Sequence, residues 1–475
     1  MALTRRGRIV SASLGVVLVV GASTVTADVL RVDDPLPDAP AVDAVATPLF
    51  SGRRVPELWR RRVADSNLRR RLVAAVPTDG SCAVATIDGD PIGRVDEDAA
   101  LAPASTMKIL TGLGALDVLG ADFRYSTKLV GPAADANGVI AGDVVLLGGG
   151  DPTLATPRYE EYVRANDRFR TDPLTPLQGL VDVLVAQGVE RIEGDIVGDG
   201  SRYSGPTYLP SWKPNYRTEG QVGPIGALTV NHGYAECPPP VPVDDPARYA
   251  AEQVRTRLDR AGISVEGDAI ASGPGTSDGA VIATVESPPL GEIVAGMLTS
   301  SDNTTAEMLV REIALARGRP PTTEAGVEEI IATLTARSIR SVGAAALDGS
   351  GLSPDSRLTC ATLIDAVALA DPVIDAGYAD AGQSGTLALR FVGTSFEGVL
   401  HAKTGQLNGV VGLAGVLDAT PTRPEIRFAF LANGAFDQDG GQALQVAIVE
   451  ALATYPESPP ADALVTASDV DGSSA

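Results

Sequence analysis

Strand-like patterns stand near both ends of this sequence and are separated by most of its length. Near the start, residues 82–87 and 92–95 flank the turn Asp88-Gly89-Asp90-Pro91, which reads as a hairpin. Near the end, residues 398–403, 410–417 and 426–431 carry the same kind of pattern. Helical patterns bracket these strands, at residues 55–76 and 441–454. Strands from both ends, closed by terminal helices, predict an α/β chain of the α+β type: one antiparallel sheet, flanked by helices and assembled across a long insertion. A further helical pattern at 106–119 follows Pro103, and the insertion is expected after it.

That middle, residues 128–288, has short β-like runs punctuated by glycine and proline and is expected to form a mixed or β-rich inserted domain. Residues 144–147 run into Gly148-Gly149-Gly150-Asp151-Pro152, and residues 192–197 into Gly198-Asp199-Gly200. No lysine follows the glycine triplet and no G-x-G-x-x-G spacing fits, so it reads as a turn and not a phosphate loop. Residues 51–127 and 289–457 remain for the sheet-bearing domain. A chain of 475 residues, 44% hydrophobic and 21% charged, can fill two or three domains.

Residues 1–8 hold three arginines and no acid, and a mostly apolar stretch from 9 to 22 follows. Residues 1–27 therefore read as an export signal, with a cleavage site at Val25-Thr26-Ala27, or as a single membrane anchor. Residues 28–50, rich in Pro, Asp and Ala, read as a spacer, and 458–475 as a loose acidic tail. The protein is expected outside the membrane on the cell-envelope side, either secreted or anchored. A net charge of -22 argues against nucleic acid as a partner, because a phosphate backbone is gripped by clustered Lys and Arg. The arginine run between residues 53 and 71 has helical spacing and is expected on the solvated face of a helix. None of Cys82, Cys237 and Cys360 has metal-ligand spacing. In an oxidising compartment two could pair and leave one over, with Cys82 and Cys360 the expected pair.

The chemistry is narrowed first by what is scarce. Only two histidines occur, His232 and His401, and neither has a nucleophile elbow to serve, so a Ser-His-Asp triad is not expected and both read as structural or peripheral. Among 38 Lys and Arg residues only Lys108, Lys128, Lys213 and Lys403 are lysine. Lysine, unlike arginine, can lose its proton when desolvated or set beside another cation, and then acts as a base.

Two of these lysines sit in motifs that need that property. In Ser105-Thr106-Met107-Lys108 the i, i+3 spacing puts both ends on one helix face, within reach of each other. A neutral amine there supplies the base that a serine nucleophile lacks, and the helix N-terminus offers a backbone N–H to an oxyanion; the plainer alternative is a capping serine with a solvent-facing lysine. In Lys403-Thr404-Gly405, expected on a strand, Lys403 would depress the Lys108 pKa and attract a carboxylate, Thr404 would bind that carboxylate, and Gly405 would let substrate lie close. The plainer alternative is a strand end turning through Gly405 into Gln406-Leu407-Asn408-Gly409. Between them lies Ser301-Asp302-Asn303, between a helix ending near Thr299 and another beginning near Thr304. Ser301 would relay a proton to the leaving amine and the Asn303 amide would hold the substrate's peptide group; the alternative is a helix junction capped by Thr304-Thr305-Ala306-Glu307. Each motif alone is weak, but the three in this order mark serine β-lactamases and penicillin-binding proteins.

With these motifs the chain resembles the low-molecular-mass class C penicillin-binding proteins, the D-alanyl-D-alanine carboxypeptidase/endopeptidases, from residue 55 to 454. Asp348-Gly349-Ser350-Gly351-Leu352-Ser353, Gly385-Thr386-Leu387 and Gly194-Asp195-Ile196-Val197-Gly198-Asp199 are similar to segments of that family. The resemblance implies a transpeptidase-like catalytic domain, as in serine β-lactamases, and attack by Ser105 on the penultimate D-alanine carbonyl of peptidoglycan stem peptides. D-Alanine then leaves, water resolves the acyl-enzyme, β-lactams inhibit at the same ester, and no metal or organic cofactor is called for. Two departures stand out. The insertion is shorter than in fuller members, so one of two extra domains is expected to be reduced or absent, and Gln406 stands where threonine is common. Gln406 would hold a terminal carboxylate less firmly, while its N–H could complete an oxyanion hole with that of Ser105. A β-lactamase or esterase of the same fold is disfavoured by the insertion and the Asp348 segment, and a non-catalytic wall-binding protein by the intact motifs.

Overall fold

The hairpin read near the start closes through two residues in the left-handed region, Asp88 (φ 51°) and Gly89 (φ 81°), which a tight two-residue turn between twisted strands demands. Its second strand therefore begins at once, at Asp90, and the two strands are Ser81–Ile87 and Asp90–Val95. The structure, a computed structural model, describes residues 55–77, 79–236, 241–271 and 279–457. The expected export segment, spacer, acidic tail and Cys237 lie outside these residues. No described helix is long and apolar enough to cross a membrane.

The hairpin joins strands from the far end of the chain in one six-stranded sheet. Its order is Ala379–Asp380, Leu400–Leu407, Val410–Leu417, Ile426–Asn433, Ser81–Ile87, Asp90–Val95, with every pairing antiparallel. Alternate residues of Ile426–Asn433 serve opposite faces, as the two-residue repeat of a strand requires. Phe428, Phe430 and Ala432 meet Leu68 and Leu72 of the helix Val55–Ala75 and Ile448 and Leu452 of the helix Gln438–Ala453. Ala429 and Leu431 face the helix Met107–Leu119, through Met107, Leu110 and Leu113. The strand Val410–Leu417 is buried along its whole length. On the helix Val55–Ala75, Ala64, Leu68 and Leu72 turn inward while Arg60, Arg62, Arg69 and Arg70 stay exposed. A disulfide ties Cys82 of the sheet to Cys360, at the start of the helix Cys360–Ala368, the pairing expected from sequence.

The middle of the chain builds a second, five-stranded sheet in the order Ala269–Ala271, Ile196–Asp199, Val144–Leu147, Ser126–Gly131, Ala280–Glu286. The first three pair parallel and the last three antiparallel. Leu180 and Leu184 of the helix Gln178–Ala186 and Val254 and Leu258 of the helix Pro246–Arg260 cover it over Leu129, Leu146 and Ile196. The single run read at 192–197 is two strands, Arg191–Ile192 and Ile196–Asp199, in different sheets. Gly194 lies at the break because the chain crosses there against the backbone of Gly142 and Asp143, where a Cβ would come within 2.4 Å.

Candidate active site

Residues 107–115 of the helix Met107–Leu119 are all buried, so its first turns pack on every side. Gly112 and Gly114 admit Val294 and Ile330 close to its axis, where a Cβ would come within 3.0 Å of either side chain. Lys108 is therefore drawn inside with no exposed surface. Before the helix, Ala104 (φ 47°) is held left-handed in a short turn, Ala104–Thr106, that carries Ser105. The carbonyl of Ala104 abuts Gly351, where any Cβ would clash.

The Lys108 Nζ lies 3.0 Å from Ser105 Oγ, 2.6 Å from Asn303 Oδ1 and 2.7 Å from the Ser350 carbonyl. The Asn303 Nδ2 donates to the Gln221 carbonyl at 2.6 Å, which fixes its Oδ1 toward the lysine. Two of the three partners of Nζ are thus carbonyl acceptors. A neutral amine gives them its two hydrogens and turns its lone pair on the Ser105 hydroxyl. Burial pushes the Lys108 pKa down to about 7, against the upward pull of Asp302, Asp348 and Glu307, and Arg168 adds a smaller downward push. The Asp348 segment positions the Ser350 carbonyl: Asp348 accepts from the Trp212 indole at 2.8 Å and from the backbone N–H groups of Gly351 and Ser353, folding the loop on itself.

Ser301 (φ 61°) ends the helix Leu290–Ser300 in the left-handed region, and Asp302 caps the next helix, Asn303–Ala316, by accepting from the Thr305 N–H at 2.5 Å. The capping box considered at Thr304 through Glu307 does not form. Glu307 turns inward and accepts from the N–H groups of Gly349 and Ser350 at 3.0 and 2.7 Å. The Ser301 Oγ accepts from Lys403 Nζ at 2.9 Å, and Lys403 also donates to the Thr404 carbonyl at 2.8 Å. Lys403 has no exposed surface. Its pKa is pushed well down by burial, then by Lys108 and Arg168.

The strand Leu400–Leu407 runs through Gly405 without turning. A Cβ on Gly405 would sit 2.8 Å from the Pro103 carbonyl, so glycine is what lets this strand lie against the Ser105 turn. The Thr404 Oγ1 donates to Thr386 Oγ1 at 2.9 Å, and the Gln406 Nε2 donates to the Gln438 carbonyl at 3.2 Å.

Over these groups opens a cleft of about 950 Å³. Ser105, Ser301, Asn303, Thr404 and Gln406 line it, with Arg168, Lys213 and Gln221 from the middle of the chain. Lys108, Lys403 and Gly405 are not in its lining. Nothing in the sequence singled out Arg168 or Gln221, whose place here depends on how the middle segment folds back. His401 lies on the sheet between Asp380 (2.6 Å) and Asp418 (3.1 Å), and His232 pairs with Asp302 at 3.1 Å; neither lines the cleft. Among the described residues no group of three or more His, Cys, Asp or Glu could hold a metal ion.

Known proteins agree with this architecture. The sequence model of the D-Ala-D-Ala carboxypeptidase 3 (S13) family matches residues 74–239 and 236–455. A carboxypeptidase of Mycobacterium tuberculosis is 33% identical over 428 residues, spanning 86% of this chain and 87% of its own. A D-alanyl-D-alanine carboxypeptidase of an Actinomadura species is 28% identical over 489 residues, covering 85% and 86%. Among solved structures, penicillin binding protein 4 of Haemophilus influenzae shares the fold with a TM-score of 0.66 at 21% identity, over 81% of this chain and 98% of that one. The chain belongs to the D-Ala-D-Ala carboxypeptidase 3 (S13) family and is a serine peptidase of the low-molecular-mass class C penicillin-binding type.

Proposed function

We propose that this protein removes the terminal D-alanine from peptidoglycan stem peptides, on the envelope side of the membrane, through an acyl-enzyme on Ser105. The observation that carries the assignment is Lys108: a buried amine whose Nζ lies 3.0 Å from Ser105 Oγ and 2.6 and 2.7 Å from two carbonyl oxygens, with burial pushing its pKa down to about 7. Lys108 takes the hydroxyl proton as Ser105 Oγ bonds to the penultimate D-alanine carbonyl carbon. The backbone N–H groups of Ser105 and Gln406 receive the oxyanion. On collapse the C–N bond breaks, and the proton passes through Ser301, which Lys403 holds, to the departing D-alanine amine. Water then attacks the ester, with Lys108 again the base.

Thr404, facing the cleft beside Thr386, supplies the hydroxyl for the terminal carboxylate, and Gln406 stands next to it. Asn303 gives one end of its amide to Lys108 and the other to Gln221, so it orients the base. To bind the substrate's peptide group as well, it would exchange the Gln221 carbonyl for that of the ligand. The same chemistry on a longer leaving group cleaves D-alanyl cross-links. β-Lactams stop at the Ser105 ester. The related Haemophilus influenzae protein has been solved with a bound β-lactam.

In this account residues 51–127 and 289–457 form the catalytic domain and 128–288 an inserted domain that lends the far wall of the cleft. Residues 1–27 direct export, with cleavage or retention as an anchor following. The Cys82–Cys360 disulfide supports an oxidising compartment. Incubation with a D-alanyl-D-alanine pentapeptide and with cross-linked wall fragments, followed by mass identification of products, tests the assignment. Free D-alanine or cleaved cross-links are expected, and neither product from folded protein would refute it.

A further inference from the structure

Behind the Ser301-Asp302-Asn303 turn lies a largely buried His232–Asp302 pair, with the exposed Arg168 beside it, that the proposed reaction does not use. Arg168 donates from Nε to the Ser300 carbonyl at 2.7 Å. The His232 Nδ1 stands 3.1 Å from Asp302 Oδ2 and 3.2 Å from the Tyr159 hydroxyl, and His232 is 8% exposed. The backbone is bent to put it there. Asn231 and His232 are both left-handed, at φ 57° and 53°, a region uncommon for residues other than glycine, although Asn and His enter it more readily than most. The Asn231 Oδ1 accepts from the Thr156 N–H at 2.9 Å and anchors the bend, and Gly223 passes so close to the His232 carbonyl that any Cβ would clash. Asp302 in turn sits between the residue that touches Lys403 and the residue that touches Lys108.

We propose that His232 is a positioning residue for the reaction. Its imidazolium, supplied by the middle of the chain, pairs with the Asp302 carboxylate, keeps Ser301 and Asn303 aimed at the two lysines, and offsets a negative charge that would otherwise hold Lys108 protonated. Asp302 exerts the largest upward pull on the Lys108 pKa, so its compensation bears directly on the base. The groups facing His232 favour its charged form. They are Asp302 from the turn, Asp172 from the segment after Arg168, Asp151 after the glycine triplet, and the Tyr159 hydroxyl from the helix Pro157–Ala165. Burial lowers the His232 pKa, but these acids, Asp302 foremost, carry it above the usual value. Burial likewise pushes Asp302 up, and His232 with the Thr305 N–H carries it well down.

The inference rests on Ser105 being the acylated nucleophile, and the test separates the two claims. Acylation rates with a fluorescent penicillin are measured against pH for wild type, His232→Asn and Asp302→Asn; asparagine keeps the helix cap. The acid limb set by Lys108 is expected to move up by about one pH unit in His232→Asn and down in Asp302→Asn. A residue that only filled space would lower the plateau and leave the limb in place. With only two histidines in the chain, ¹⁵N spectra of histidine-labelled protein, assigned with His401→Gln, read the His232 charge directly, even if His232→Asn fails to fold. An imidazolium at pH 7 is expected. A neutral His232 at pH 7, or an unmoved limb in Asp302→Asn, overturns the inference while wild-type acylation stands, whereas an unreactive wild type refutes the functional assignment instead.

Discussion

Replacing Lys108 with arginine keeps a cation of similar reach but removes the capacity to take a proton. With its pKa near 7, about half of the Lys108 amines are neutral at pH 7. A guanidinium, whose pKa exceeds about 12, has essentially no neutral fraction there. Losing a positioned base costs about 10²–10⁴ in rate, so Lys108→Arg should acylate roughly a thousandfold more slowly than wild type at neutral pH. The residue is fully buried, with acceptors at 2.6 and 2.7 Å that arginine cannot match at the same depth, and that misfit adds to the loss. Time-resolved labelling with a fluorescent penicillin between about pH 5.5 and 9 measures it, with circular dichroism to confirm folding. The sign is fixed by the role. The neutral amine is the active form, so the wild-type rate rises with pH through about 7 and levels above it. Acylation of Lys108→Arg within about tenfold of wild type at neutral pH would refute the assignment of Lys108 as base.

Three further outcomes follow from the geometry. Gly405→Ala places a Cβ 2.8 Å from the Pro103 carbonyl and pushes the strand off the Ser105 turn, so acylation should fall by about 10²-fold, and an unchanged rate would contradict that contact. Removing the disulfide with Cys82→Ala and Cys360→Ala opens a link across 278 residues and should cost about 3 kcal/mol, read as a lower melting temperature under non-reducing conditions. His401, raised to about 9 by its hydrogen bond to Asp380 and then by Asp418, gives stability that is full below its unfolded pKa of about 6.5 and is lost as pH rises through about 9. Its side chain is 28% exposed and partly screened by solvent, so the loss should be roughly 1 kcal/mol in denaturant titrations and should vanish in His401→Gln.

What the sequence discloses here is local, and what it hides depends on distant parts meeting. Ser105 and Lys108 are legible as a pair because an i, i+3 spacing fixes their relation before any packing occurs. The principal strands of the sheet are legible because each is long enough to show its apolar pattern, whereas the two-residue edge strand Ala379–Asp380 is too short to show any. The helix junction at Ser301 was readable, but not which residue caps it. Asp302 and Thr304 both suit a cap, and the choice falls to Asp302 because Glu307 is drawn inward by the Gly349 and Ser350 N–H groups. Gln221 and Arg168 carried no signal, and neither the Asp348 segment nor the scarcity of histidine showed that the Ser350 carbonyl meets Lys108 or that His232 meets Asp302. Gln221, Arg168 and His232 act through contacts set by the folding of the middle segment, and Ser350 through its backbone carbonyl. Both histidines read as structural or peripheral, yet His232 lies against the motif that orients the two lysines.

The measurement that bears most directly on the account is the intact mass of the protein after reaction with penicillin, with peptide mapping of the adduct. Wild type should gain one penicilloyl group on Ser105, released slowly, and Ser105→Ala should gain none. Folded wild type without an adduct, an adduct undiminished in Ser105→Ala, or rapid repeated hydrolysis of penicillin would contradict it.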